Sequence, residues 1–294
     1  MRGPEKPGEL WLVGTPIGNL DDLSPRALVA LREADAIFCE DTRVTAKLAS
    51  RFRLTAPRVS CPAPRERARI EDLLLRLGRG ERVVLVSDAG LPALSDPGER
   101  LVAAAAAAGY VVRIVPGPSA EGAALAISGL PSVPHLFLGF LPARAGERRR
   151  LLESVRERRE TLAWFEAPHR LAESLRDAAE TLGGRRACVA RELTKVHEEA
   201  VRGTLPELAR LFAERGTARG EATVVVEGGA AASRAAGRDD LDARIASALA
   251  AGKDKRAIAR DLARETGVPS RDVYARAVAL AAGRGLGAPG PGES

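Results

Sequence analysis

The sequence of 294 residues is poor in aromatic residues, in cysteine and in long apolar runs. Aromatic side chains make up only 3% of it, which argues against a surface that reads single-stranded bases by stacking. Three scattered cysteines without a C-x-x-C pair argue against a zinc knuckle or a disulfide framework and favour a reducing cytoplasm. No run of about 18 apolar residues occurs, and the first nine residues contain no apolar stretch. Neither a membrane span nor a signal peptide is therefore expected.

Familiar nucleotide- and metal-binding signatures are missing as well. No predicted strand is followed by G-x-G-x-x-G, and G-x-x-x-x-G-K-[ST] does not occur, so neither a dinucleotide site nor a P-loop is predicted. H-E-x-x-H and G-x-S-x-G are also absent, which disfavours a metalloprotease or a serine hydrolase. With only three histidines and no cluster of ligand side chains, the sequence predicts no metal site.

The charge of the chain is basic, because 45 Lys and Arg residues outnumber 39 Asp and Glu residues, giving a net charge of +6. Such a balance is typical of proteins that bind an anionic partner such as nucleic acid. A soluble protein with incidental positive charge has the same composition. The content of 45% hydrophobic and 29% charged residues is that of a chain with a substantial folded core.

Short apolar runs alternate with helical stretches from Leu10 to Val226, which predicts α/β domains with parallel sheets. The boundary is expected in the Pro-, Gly- and Arg-rich segment 141–150, which gives an N-terminal domain at 9–141 and a second domain at 142–228. Ser24 and Asp96, each followed by proline, are expected to cap helices. The predicted strands are Leu10–Val13, Ala36–Cys39, Arg82–Val86, Tyr110–Val115, Leu136–Phe140, Thr161–Phe165, Ala187–Ala190 and Ala222–Val226.

The composition changes after Glu227, where residues 228–237 are small and typical of a linker. Residues 238–284 contain no strand-like run and are expected to form a small basic helical module. In it, Arg256, Arg260 and Arg264 follow one another at four-residue spacing and therefore share a helix face. Residues 1–8 and 285–294 are expected to be disordered.

Loops rich in glycine, proline, hydroxyl and carboxylate side chains follow most of the predicted strands. Ligands of parallel α/β sheets bind beyond the carboxyl ends of the strands. Glycine allows close backbone approach to a ligand, and proline holds a loop in one conformation. One such loop is equally well an ordinary turn, whereas several at one sheet edge indicate a binding site. The loops are Gly14–Asp22, Glu40–Arg43, Ser87–Gly98, Pro116–Ala120, Glu166–Arg170 and Arg191–Lys195.

Taken together, six motifs in these loops resemble the small-subunit ribosomal RNA methyltransferases of the tetrapyrrole methylase superfamily. The resemblance runs in order from about Leu10 to Ala282. It implies two α/β domains with a small C-terminal helical module, and S-adenosylmethionine bound in the cleft between the domains. It also implies a cytoplasmic homodimer that methylates the ribose 2′-hydroxyl of a cytidine in the decoding region of 16S rRNA. The motifs are Thr15–Leu20, Glu40–Arg43, Ser87–Gly90 with Ser95–Gly98, Pro116–Ala120, Pro168–Leu171 and Arg191–Lys195.

The resemblance assigns roles by position. Asp88 is the candidate acceptor for the proton that leaves the 2′-hydroxyl, although it equally suits a turn cap. Cofactor contacts are expected from Thr15, Pro16, Gly18, Asp88, Ala89, Gly90, Pro116, Gly117, Ser119, Phe165, Glu166 and Ala222. RNA contacts are expected from Arg43, His169, Arg170, Arg191, Lys195, Arg256, Arg260 and Arg264. The first five could equally be structural ion pairs, and the last three an ordinary solvated helix face.

Two positions depart from the pattern that the resemblance implies. Pro64 and Arg65 precede Glu66 where a His-Asn-Glu-like run is usual, and Leu91 replaces a threonine or methionine. Two other functions stay open on the sequence: a methyltransferase for a small molecule such as a corrin precursor, and a non-catalytic rRNA-binding assembly factor. The charge of +6 favours a large anionic substrate over the small molecule.

Overall fold

The computed structural model describes residues 7–216, 220–229, 241–266 and 268–281. The described residues up to Gly228 form one compact unit with two five-stranded sheets, and the described residues after it form a second unit. The predicted α/β class with C-terminal helices is confirmed. Within the described ranges, no helix is long and apolar enough to cross a membrane.

The first sheet is entirely parallel, with the strand order β3-β2-β4-β1-β5. Its side chains enter two cores because successive residues of a strand point to opposite faces. Val13 packs on one face with helices α1 and α2, and Leu10 packs on the other with α3 and α4. The elements are β1 (Glu9–Val13), α1 (Pro25–Arg32), β2 (Ala36–Cys39), α2 (Thr42–Phe52), β3 (Arg58–Ser60), α3 (Glu66–Gly78), β4 (Arg82–Val86), α4 (Glu99–Ala107) and β5 (Val111–Val115).

The second sheet is mixed, with the order β6-β7-β10-β8-β9. Only β6 and β7 are parallel; the prediction of parallel pairing is wrong for the other three pairs. Trp164 is fully buried between this sheet and helices α6, α7 and α8, while α5 packs on the opposite face. The elements are α5 (Ala120–Ser128), β6 (His135–Phe140), α6 (Ala145–Ser154), β7 (Thr161–Glu166), α7 (Leu171–Leu182), β8 (Arg186–Arg191), β9 (Glu199–Thr204), α8 (Leu205–Glu214) and β10 (Ala222–Val226).

The chain passes from the first sheet to the second between Val115 and His135, before the boundary predicted at 141–142. At the N-terminus, the expected disorder does not extend to Gly8, which is buried and donates its N–H to the Leu77 carbonyl at 3.0 Å. The other predicted disordered residues, apart from Pro7, lie outside the described ranges, as does most of the predicted linker.

The two predicted helix caps have different outcomes. Ser24 accepts the N–H of Ala27 at 3.1 Å and caps α1, as predicted. The prediction for Asp96 is wrong, because α4 begins later and has Gly98 as its N-cap. The cap comes from α3 instead: Glu66 Oε1 accepts the N–H groups of Gly98 and Arg100 at 3.0 and 2.7 Å. Asp96 is therefore not used as the cap of α4.

The described residues of the second unit form helices that pack around one apolar cluster. Ile245 of α9 (residues 241–250), Ile258 of α10 (Lys255–Thr266) and Val273 of α11 (Ser270–Ala281) are buried in it. Three arginines of α10 lie on its exposed side, as the four-residue spacing predicts. We call Arg256, Arg260 and Arg264 the basic face of α10.

Candidate active site

A cavity of about 360 Å³ lies where loops of the two sheets meet. The loops after β2, β4 and β5 line it together with residues at the ends of β6, β7, β8 and β10. This position, beyond the carboxyl ends of the parallel strands, is where α/β sheets bind ligands. The residues of the predicted site that line the cavity are Asp88, Ala89, Gly90, Ser119, Phe165, Glu166, Ala222 and Lys195.

Another group of predicted cofactor residues lies beside the cavity rather than in its lining. Thr15 is buried, and its backbone pairs with Gly90 in both directions at 2.8 and 3.1 Å, so it braces the loop after β4. A Cβ on Gly117 would lie 2.8 Å from the Gly14 Cα, and one on Gly18 would lie 2.7 Å from the Leu193 carbonyl oxygen. These glycines are therefore needed for close packing of loop on loop. Outside the lining are Thr15, Pro16, Gly18, Pro116 and Gly117.

The lining is strongly acidic. The lining contains seven carboxylates and one lysine, Lys195. The Nζ atom of Lys195 lies 2.8 Å from Glu192 Oε1. Such a surface favours a cationic ligand and repels phosphate and carboxylate groups. The seven carboxylates are Glu40, Asp88, Asp96, Glu121, Glu166, Glu192 and Glu221.

Three of these carboxyl groups have raised pKa values. Burial is the largest cause for Asp96, whose pKa rises to about 6, and the charges of Asp88 and Glu221 raise it further. Burial also raises the pKa of Asp88, and both burial and the Asp88 charge raise that of Glu40. Desolvation and like charge both favour the neutral acid, so this part of the cavity binds protons more readily than isolated carboxylates do.

Glu166 is held by Arg170, a residue predicted to contact RNA. The Arg170 side chain is largely buried, and its Nη2 lies 2.5 Å from Glu166 Oε1 and donates to the Leu141 carbonyl at 3.1 Å. The structure therefore places Arg170 in a structural ion pair rather than open to a phosphate. Glu166 Oε2 is buried and has no hydrogen-bond partner among the described residues, so it is an acceptor available to a ligand.

The remaining predicted RNA contacts differ in exposure. Arg43 is 89% exposed and pairs with Asp41 at 2.6 Å, and His169 is exposed. Arg191 is mostly buried and pairs with Glu199. The three arginines of the basic face of α10 are exposed in the second unit.

Several lining residues are not among the site residues that the sequence predicts. Asp96 is predicted as a helix cap because aspartate before proline is a common helix start. Phe137 and Phe140 lie in β6, where an apolar run predicts core positions. Backbone strain marks the same region, since Ala93 and Ser95 have positive φ angles of 67° and 63°.

A family model described as tetrapyrrole (corrin/porphyrin) methylases matches residues 9–209. In solved structures, a cobalt-precorrin-4 methyltransferase of cobalamin biosynthesis is similar with a TM-score of 0.55 and 19% identity, covering 74% of this chain and 94% of that one. The fold and the family model together define a methyltransferase of the tetrapyrrole methylase type, whose methyl donor is S-adenosylmethionine.

Two curated relatives, both named ribosomal RNA small subunit methyltransferase I, are considerably more similar. The one from Thermotoga maritima is 46% identical, and the match covers 75% of this chain and 99% of the relative. The one from Synechocystis is 41% identical, with coverages of 94% and 99%. These identities show that the chain belongs to the ribosomal RNA small subunit methyltransferase I family.

Proposed function

We propose that this enzyme transfers a methyl group from S-adenosylmethionine to the ribose 2′-hydroxyl of a cytidine in the decoding region of small-subunit rRNA. The observation that carries the substrate class is the identity of 41–46% to relatives named for this rRNA. We further propose that the enzyme acts in the cytoplasm, on rRNA or on the small ribosomal subunit.

The cavity suits S-adenosylmethionine in charge and in hydrogen bonding. That molecule carries a sulfonium cation, an ammonium cation and one carboxylate, so its net charge is positive and the acidic lining attracts it. Glu166 Oε2 offers a buried acceptor that no described residue uses. When bound, the cofactor supplies an already electrophilic methyl group. The residues proposed to hold it are Asp88, Ala89, Gly90, Ser119, Phe165, Glu166 and Ala222, with Thr15, Pro16, Gly18, Pro116 and Gly117 supporting their loops.

The protein contributes chiefly by orienting the ribose 2′-oxygen in line with the methyl group. Orientation of this kind is worth roughly 7–11 kcal/mol. A lining carboxylate then accepts the hydroxyl proton. Asp88, whose Oδ1 accepts the Asp41 N–H at 3.1 Å, is one candidate. Asp96 is the second candidate. Its pKa of about 6 makes it a stronger base than an ordinary aspartate, and above pH 7 it is still mostly ionised.

Single amide variants separate the two carboxylates. The variant that removes the proton acceptor, Asp88→Asn or Asp96→Asn, is expected to lower kcat by about 100-fold or more. The affinity for S-adenosylmethionine should stay close to that of the wild type in Asp96→Asn, whereas Asp88→Asn should weaken it, because Asp88 is also proposed to hold the cofactor. A variant that loses cofactor affinity but keeps kcat at saturating cofactor marks its residue as a binding residue only.

The RNA phosphates are proposed to contact exposed arginines, and not the interior of the cavity. Arg43 near the cavity and the basic face of α10 are the candidates with exposed guanidinium groups. His169, Arg191 and Lys195 are secondary candidates, because the two cations already pair with glutamates. Contacts with phosphates would make binding fall as salt rises.

A homodimer is proposed as well, with the edge of the first sheet as the candidate face. β5 is the edge strand beside β1, and its Val111 and Ile114 are 43% and 53% exposed. Apolar side chains on an unpaired strand edge favour association with another chain. Molar mass in solution, compared between wild type and Ile114→Lys, tests this face.

The small-molecule alternative is disfavoured by charge. Corrin precursors are polycarboxylates, which a lining of seven carboxylates and one lysine would repel. The assembly-factor alternative would require a protein that binds the cofactor without transferring its methyl group.

The decisive experiment measures transfer of radiolabelled methyl groups to small ribosomal subunits that lack this modification. Digestion of the RNA should locate the label at the 2′-oxygen of one decoding-region cytidine. Fully modified subunits are the matched control and should take up no label. Cofactor binding without labelling of any RNA would overturn the proposal, and labelling of a corrin precursor would identify the small-molecule alternative as correct.

A further inference from the structure

Three phenylalanines line the cavity in a chain that has only six. Phe137 and Phe165 meet edge to face at 4.9 Å between ring centroids, and Phe140 meets Phe165 at 5.4 Å. Phe137 and Phe165 are partly buried, whereas Phe140 is 55% exposed at the edge of the group. An exposed ring that continues a packed aromatic group offers a flat apolar surface to a further ring.

The backbone that follows Phe140 is rigidly held. The carbonyls of the next three residues accept hydrogen bonds from buried or largely buried arginines: Leu141 from Arg170 at 3.1 Å, and Pro142 and Ala143 from Arg148 at 3.4 and 3.1 Å. Arg148 is itself fully buried and lies 2.5 Å from Asp177. The backbone next to the exposed ring is thus fixed by hydrogen bonds, as is expected for a preorganised binding residue.

A second exposed apolar side chain of the cavity lining belongs to a loop that packs next to the end of β6. Leu94 is 56% exposed and also lines the cavity. Leu94 and Phe140 are brought together because Ser95, next to Leu94, packs on Gly139, next to Phe140: a Cβ on Gly139 would lie 3.2 Å from Ser95 Oγ. The loop after β4 and the end of β6 therefore present one apolar patch at the cavity.

The charge of the cavity limits what this patch can bind. Seven carboxylates exclude phosphate from the lining, so the part of an RNA substrate that enters must be the uncharged sugar and base. We propose that Phe140 is the stacking surface for the nucleobase of the methylated nucleotide, with Leu94 packing against the same base. This inference rests on the proposed function, because it takes RNA to be the substrate.

Four variants test the stacking role on unmodified small subunits. Phe140→Ala and Phe140→Leu are expected to lower kcat/KM for the subunit by about 5- to 150-fold, the range that removal of one base–aromatic stack implies. Phe140→Tyr keeps the ring and should retain wild-type activity. Val133→Ala removes an apolar side chain that is 82% exposed and outside the cavity lining, and it should leave activity unchanged. Calorimetric Kd values for S-adenosylmethionine should be the same in all variants.

A substrate without the target base makes the test specific. With a subunit whose target nucleotide is an abasic ribose, wild type and Phe140→Ala should methylate equally slowly, because neither enzyme can form the stack. Equal rates of wild type and Phe140→Ala on the intact base would overturn the inference, as would a parallel drop in cofactor affinity. Failure of the wild type to methylate any RNA would instead refute the proposed function, so the two failures are distinguishable.

Discussion

The carboxylate of Glu66 stabilises the loop that carries Asp96 into the cavity. Glu66 is 7% exposed, and its Oε1 accepts N–H groups from Gly98, Arg100 and Leu101 at 3.0, 2.7 and 3.3 Å. These donors are first-turn groups of α4 that have no partner within the helix. One buried oxygen thus satisfies the start of α4 from a different helix.

The size of the effect follows from what each substitution removes. Glu66→Gln keeps an acceptor oxygen but loses the negative charge at the helix N-terminus, which is worth up to about 2 kcal/mol when partly buried. We expect it to lower the free energy of unfolding by about 1–2 kcal/mol. Glu66→Ala also leaves three N–H groups without their acceptor, and we expect a decrease of about 2–4 kcal/mol.

Urea unfolding followed by circular dichroism measures both decreases, and Glu71→Gln is the matched control. Glu71 lies on the same helix and is exposed, so the same chemical change should shift stability by less than about 0.5 kcal/mol. The reasoning is refuted if Glu66→Gln and Glu71→Gln unfold at the same urea concentration, or if Glu66→Ala is as stable as the wild type.

Other consequences concern charge. The pKa of Asp96 is raised from its ordinary value of 3.8 to about 6, which means that the charged form of Asp96 destabilises the fold. The stability of the protein therefore falls as the pH rises from about 4 through about 6. Asp96→Asn should raise the melting temperature at pH 8 but hardly at pH 4. Arg148→Met leaves the buried Asp177 poorly compensated and should lower the free energy of unfolding by about 3–5 kcal/mol in urea titrations. Replacing the three arginines of the basic face of α10 by glutamines should make RNA binding less sensitive to salt. Fluorescence anisotropy should show that the slope of log K against log salt concentration falls by about one for each phosphate that is no longer neutralised. The melting temperature should stay unchanged.

Strands with an apolar run could be predicted from the sequence, whereas two polar edge strands could not. β4 is nearly all apolar, and its observed bounds are those that the sequence predicts. β3 and β9 lie at sheet edges, and their polar residues give no apolar run. The antiparallel pairing of β8 with β9 is not predictable because the loop at 192–198 contains the same residue types as a loop that leads into a helix.

The site was predictable as a set of loops but not as a set of side chains. Turn residues such as those around Asp88 identify the end of a strand from sequence alone. Which of their neighbours faces the cavity depends on contacts between distant segments, such as Thr15 with Gly90 and Glu66 with Gly98. Arg170 shows the same limit, since its partner Glu166 lies four residues away and only the fold shows that the pair is buried.

Charge separation connects the site to the proposed substrate. The lining carries one lysine and seven carboxylates, a formal charge of −6, so the rest of the chain must carry +12 to give the net +6. A polyanion is therefore attracted to the outer surface and repelled from the cavity, while a sulfonium cation is attracted into the cavity. An RNA ribose can enter the cavity only if its phosphates stay at the rim. An uncharged base stacked on Phe140 would hold the ribose in the cavity. The basic composition and the acidic cavity thus act together to orient the substrate.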